Sequence, residues 1–178
     1  MADPDTRHMA VNELRIAHQA ASKKRKPHHL VHFVDAFFDN GKISIVMEFA
    51  DGGSFEDVIK KSPRRRLPSR SLGAVTVQML RGLLYLHQEC HQVHRDMKPA
   101  NVMMTSRGVA KLTDFGISKQ LASTEALAVT QCGTTQYMAP ERLTGESYGF
   151  VADVWSVGVI VLEATNGEHP YPMGKLLS

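Results

Sequence analysis

The chain has 178 residues, 43% of them hydrophobic and 22% charged, and a formal net charge of +3. That is enough apolar material for one sizeable core, which excludes a disordered chain and makes a single globular unit the natural expectation. The mild charge gives no ground for a nucleic-acid partner, and the most apolar stretch is too short and too charged to cross a bilayer.

In chain order, residues 8–20 have helical spacing, with Leu14, Ile16 and Ala17 near one side, and Pro27 ends the segment. Two runs rich in branched and aromatic residues follow, LVHFVDAFF (30–38) and KISIVMEF (42–49). They are joined through Asp39-Asn40-Gly41, a strong hairpin signal, and are expected to pair antiparallel. After Gly52-Gly53, Ser54 is placed to cap a short helix, and Ser69 or Ser71 to open a longer one reaching about Glu89. In that long segment Leu72, Val75, Met79, Leu83 and Leu86 fall on one face at spacings of three and four, which predicts a core helix. From residue 90 the pattern turns to short strands and loops, and a buried helix is expected after Asp153, over VWSVGVIVLEAT (154–165).

Cys90 and Cys132 lack metal-ligand spacing and no signal peptide precedes them, so a reducing cytoplasm is the expected compartment and no disulfide is expected. The basic runs Lys23, Lys24, Arg25, Lys26 and Arg64, Arg65, Arg66 read as solvated loops, with nuclear entry or an acidic partner as the lesser reading.

Three motifs carry the chemistry: HRDMKPAN at 94–101, DFG at 114–116 and APE at 139–141, with Asp96 and Asp114 eighteen residues apart. In this order and spacing they resemble the catalytic half of a protein kinase. Each residue alone would pass for a turn former, but the set in register would not. MEFADGGS at 47–54, Ser118 after DFG and GTTQYMAPERL at 133–143 are similar to the MAP kinase kinase versions, and the resemblance runs from about Val11 to about Pro172. It implies an α+β, partial protein-kinase fold. Residues 1–50 would be the remnant of the small lobe, with regulatory helix, hairpin and hinge, and 51–178 an incomplete helical large lobe.

The resemblance also implies roles. Asp96 would orient the substrate hydroxyl, Lys98 would balance charge on the moving phosphoryl group, and Asn101 and Asp114 would hold Mg2+ through hard oxygen ligands. Met47 would stand behind the adenine of ATP, with the backbone of Glu48 and Ala50 bonding it and Met103 forming the apolar floor. Ser54 lies near where such kinases hold the ribose, although a helix cap explains it equally well. His94, Phe115 and Phe33 would stack in an apolar column completed near Ala17, which is smaller than the residue usually found there. Thr124 and Thr130 have the S/T-x5-S/T spacing of plant-type activation loops, Ser123 competes with them, and Arg95 would receive the phosphate.

Glu13 is the candidate regulatory glutamate, yet no lysine precedes it and no G-x-G-x-x-G occurs in the chain. The expectation is therefore a fragment of an ATP-dependent kinase that phosphorylates a MAP kinase and is activated by a MAP kinase kinase kinase, itself inactive when alone. Two other readings stand beside it: a non-catalytic binding module, and a serine/threonine kinase one tier higher.

Overall fold

The computed structural model describes residues 27–39, 42–114 and 135–171. The helix predicted over 8–20, with Glu13, lies outside these residues, as do Phe115, Ser123, Thr124 and Thr130. Two small antiparallel sheets and a set of helices make up the described chain, consistent with the expected α+β, partial kinase fold.

Strands β1 (Phe33–Asp39) and β2 (Lys42–Met47) form the predicted hairpin, with Asp39 opposite Lys42 next to the turn and Phe33 opposite Met47 at the far end. The first strand starts later than its apolar run suggests. Leu30 instead makes an isolated parallel bridge to Leu112, where the Val31 N–H donates to the Leu112 carbonyl at 2.8 Å and the Leu112 N–H to that of His29 at 2.9 Å. Leu30 is 2% exposed, so the run is shared between two layers: its front joins the main core and its back the hairpin.

Helix α1 (Phe55–Lys61) begins at Ser54, as predicted, through a reciprocal capping box with Asp57. Helix α2 (Ser69–Glu89) buries Leu72, Val75, Met79, Leu83 and Leu86, the face expected from spacing. Its N-cap is Pro68, without a side-chain cap, so neither Ser69 nor Ser71 plays the part given to it. Strands β3 (Val102–Met104) and β4 (Ala110–Leu112) pair antiparallel, and the turn between them is held by Gln78 of α2, which donates to the Gly108 carbonyl and accepts from the Ala110 N–H. Helix α3 (Pro140–Leu143) is one turn, and helix α4 (Val151–Asn166) is the buried helix expected after Asp153.

The core lies where these elements meet. Phe55 and Ile59 of α1, Met79, Leu83 and Leu86 of α2, Val102 and Leu112 of the second sheet, and Val157 and Ile160 of α4 are each less than 5% exposed. The connection after α1 closes the C-terminal end of α4, with the Leu67 N–H on the Ala164 carbonyl and Arg66 Nε on that of Asn166, both at 2.9 Å. Among the described residues no helix is long and apolar enough to cross a membrane.

Close approach of α2 to β4 depends on Gly82, where a Cβ would lie 2.8 Å from the His29 carbonyl oxygen and 2.9 Å from Leu112 Cδ1. Gly82→Ala is expected to cost about 1–3 kcal/mol through overpacking, read as a lower urea midpoint. Gly158→Ala in α4, where a Cβ would meet nothing within 4 Å, is the control: it should leave the midpoint unchanged or raise it, by about 0.4–1 kcal/mol.

Candidate active site

The segment from Cys90 to Asn101 has little regular structure of its own, so its shape comes from side chains that reach it from elsewhere. The principal one is Asp153, in the first turn of α4 and 1% exposed. One of its oxygens accepts the His94 N–H at 2.8 Å and the other the Arg95 N–H at 2.9 Å. His87 of α2 approaches the same carboxylate at 2.8 Å through Nε2 and stacks on Phe150. Arg95 sits at φ 71°, a region costly for a residue with a Cβ, and the grip on its N–H holds it there. Asp153 was not singled out from sequence; its signal was a carboxylate opening an otherwise apolar helix, which has no reason to be buried unless it is bonded.

His94 is buried and its ring accepts the Asp96 N–H through Nδ1 at 3.3 Å. Burial pulls its pKa below the ordinary value, against the opposing pull of the Asp153 and Asp96 carboxylates.

Asp96, Lys98 and Asn101 come together as one cluster. Lys98 Nζ lies 3.0 Å from Asp96 Oδ2, and Asn101 Nδ2 donates to that same oxygen at 2.9 Å and to the Asp96 carbonyl at 2.8 Å. Oδ2 is therefore held by two donors, whereas the buried Oδ1 has no hydrogen-bond partner among the described residues. A buried carboxylate oxygen kept without a donor is costly in a finished fold, and it is the form a site takes when a ligand hydroxyl completes it.

Asn101 also connects the cluster to Asp114. Its carbonyl accepts the Thr113 N–H at 3.0 Å, and Asp114 follows at φ 60°. The Asn101 amide nitrogen is committed to Asp96, which leaves Oδ1 as the acceptor end of that side chain. An amide oxygen and a carboxylate are hard donors that suit Mg2+. Among the described residues there is no cluster of three or more histidine, cysteine or acidic side chains of metal-binding type.

Met47 ends β2, with its sulfur 4.0 Å from the Thr113 hydroxyl. The Glu48 N–H is taken by the His32 carbonyl at 2.8 Å, so the carbonyl is the backbone group by which Glu48 could serve a ligand. Ala50 is buried, and beyond it Gly52 runs against β3, donating to the Met104 carbonyl at 2.8 Å where a Cβ would stand 2.7 Å from the same oxygen. Met103 and Ser54 face each other across an isolated bridge. The Ser54 hydroxyl is engaged with Asp57, donating to its carboxylate at 2.6 Å and accepting its N–H at 3.1 Å, which is the cap reading of this residue.

The Glu48 side chain makes a contact that the sequence did not suggest. Lys111 of β4 places Nζ 2.6 Å from Oε1 and 2.9 Å from Oε2, and the His32 N–H donates to Oε2 at 3.2 Å. Burial alone would raise the pKa of Glu48, but the Lys111 and His32 bonds outweigh it and hold the carboxyl below its ordinary 4.5.

Residues 2–176 match the family of the protein kinase domain, and the chain belongs to that family. Within it, the likeness is to MAP kinase kinases. A mitogen-activated protein kinase kinase of Nicotiana tabacum, SIPKK, is 50% identical over 136 residues, covering 76% of this chain and 38% of that protein. Mitogen-activated protein kinase kinase 2 of Arabidopsis thaliana is 45% identical over 143 residues, 80% of this chain and 39% of its own length. For dual specificity mitogen-activated protein kinase kinase 1 of Dictyostelium discoideum the identity is also 45% over 143 residues, 80% of this chain and 21% of that protein. The chain thus spans about two fifths or less of these curated relatives.

Asp153→Ala strands two backbone amides that the carboxylate now accepts, at about 1–3 kcal/mol each. A loss of about 3 kcal/mol or more is expected by chemical denaturation, with Asp153→Asn intermediate. For Glu48 the lowered pKa means that its stabilising contribution is complete above its unfolded value and is lost as pH falls through the folded one. Below about pH 4.5, Glu48→Gln should therefore lose stability less steeply than the parent chain, a difference measurable by urea titrations across that range.

Proposed function

We propose that this chain carries the catalytic-loop portion of an ATP-dependent, dual-specificity MAP kinase kinase, which adds phosphate to threonine and tyrosine in the activation loop of a MAP kinase. The observation that carries the reading is the Asp96 carboxylate: Oδ2 fixed by Lys98 and Asn101, Oδ1 buried and without a donor among the described residues.

In this reading the substrate hydroxyl donates to Asp96 Oδ1, which aligns its oxygen with the terminal phosphorus of ATP and receives its proton as the new O–P bond forms and the bond to the departing ADP oxygen breaks. Lys98, already fixed on Asp96, supplies positive charge where negative charge gathers on the moving group. Asn101 and Asp114 would hold Mg2+, which when bound neutralises phosphate oxygens. The carbonyl of Glu48 and the N–H of Ala50 take the adenine, Met47 lies behind it and Met103 below. Ser54 stands near the ribose.

The regulatory roles of Glu13, Arg95, Thr124 and Thr130 belong to the same proposal, supported by motif position. Phosphate added to Thr124 or Thr130 by an upstream MAP kinase kinase kinase is drawn to the exposed Arg95, ordering the loop. The cytoplasm, with entry to the nucleus, is the proposed location.

No glycine-rich phosphate loop and no lysine ahead of Glu13 occur within the 178 residues. We infer that activity belongs to a longer chain that supplies them. The 178-residue chain, incubated with Mg-ATP and a MAP kinase, is expected to transfer no measurable phosphate. Robust phosphorylation abolished by Asp96→Asn would overturn the inactivity and support the assignment of Asp96.

A further inference from the structure

Among the described residues two side-chain contacts join the adenine end and the metal end of the proposed nucleotide site: the Met47 sulfur lies 4.0 Å from the Thr113 hydroxyl, and a charged contact, which none of the roles above uses, joins Lys111 to Glu48. Lys111 is the middle residue of β4, three positions before Asp114, and its ammonium grips both oxygens of Glu48, the first residue after β2. The lysine is only 8% exposed. Glu48 is held on its other side as well, by the His32 N–H on its carboxylate and the His32 carbonyl on its N–H. A cation this buried carries a desolvation cost that a surface pair avoids, and bidentate contact with a fixed carboxylate offsets it only in one geometry. The contact therefore acts as a spacer: it sets how far the segment that would bond the base stands from the strand that delivers Asp114.

We propose that Lys111 is a positioning residue for the nucleotide, holding the adenine-binding and metal-binding ends of the site at the separation ATP requires. This rests on the nucleotide-binding reading of the site. A ligand that touches both ends gains from the correct separation, because binding at one end then presents the other part of the molecule to its partners without further ordering. A ligand that touches one end gains nothing from it. Loss of the link should thus weaken ATP while leaving single-end ligands unchanged, a pattern that general loss of structure would not give.

The test compares three probes on the 178-residue chain by NMR titration at millimolar concentrations: ATP with Mg2+, inorganic tripolyphosphate with Mg2+, and adenosine. In Lys111→Met the dissociation constant for ATP should rise about fivefold to tenfold, the lower end of coupling between two sites, with the other two within a factor of two. Lys111→Arg, which keeps a bidentate cation, should restore most of the loss, and Glu48→Gln, which keeps the shape of the contact, should reproduce part of it. Equal weakening of all three probes, or ATP binding unchanged in both Lys111→Met and Glu48→Gln, would overturn the proposal alone. Absence of ATP binding by the parent chain would overturn the nucleotide reading of this chain and the proposal with it.

Discussion

Asp153 is a carboxylate set in the core side of an apolar helix, and the segment that carries His94, Arg95 and Asp96 is built around it. Moving such a group out of water costs several kcal/mol, which is recovered only when each of its oxygens is well bonded. Here the bonds come from the His94 and Arg95 amides and from His87, so the expense of burying the carboxylate and the expense of ordering the loop have a common solution. With the backbone fixed at residues 94 and 95, His94 can turn its ring to the Asp96 N–H, and Asp96 can meet Lys98 and Asn101. Removing the anchor would leave these polar groups to find water, each in its own arrangement.

Two charged contacts of similar length play different parts. In the Lys98–Asp96 pair the ammonium contacts one oxygen, and the second, buried oxygen has no hydrogen-bond partner among the described residues. Lys111 engages both oxygens of Glu48, so neither of them is left without a cation beside it. One pair engages a single carboxylate oxygen and the other engages both.

Much of this was legible from residues alone, for physical reasons. The β1–β2 hairpin follows from two runs of branched and aromatic residues flanking Asp39-Asn40-Gly41, the buried face of α2 from side chains repeating at the pitch of a helix, and the Ser54 cap from a short oxygen next to free N–H groups. The gathering of Asp96, Lys98 and Asn101 within eight residues was readable because the chain itself limits how far apart they can be. What was not legible involves long separations: Asp153 meets the loop from 58 and 59 residues away, and Lys111 meets Glu48 from 63. Nothing local marks such partners. The late start of β1 has the same origin, since Leu30 answers to Leu112, which periodicity within its own run cannot reveal. At the start of α2 the N-cap is Pro68, with φ −58°, and Ser69 and Ser71, though residues that make good caps in general, are already inside the helix.

The separation between residues 94–95 and Asp153 has a consequence for biosynthesis. Chains emerge from the ribosome N-terminus first, at about 5–20 residues per second, and long-range contacts must wait for their second half. Helix α2, the β3–β4 hairpin and Gln78 between them can assemble early, because all lie before Asp153 in the chain. The HRD backbone cannot take its final form until α4 has emerged and docked. Until then, for several seconds of synthesis, the His94 and Arg95 amides lack the carboxylate that later accepts them, and the core side of α2 lacks Val157 and Ile160.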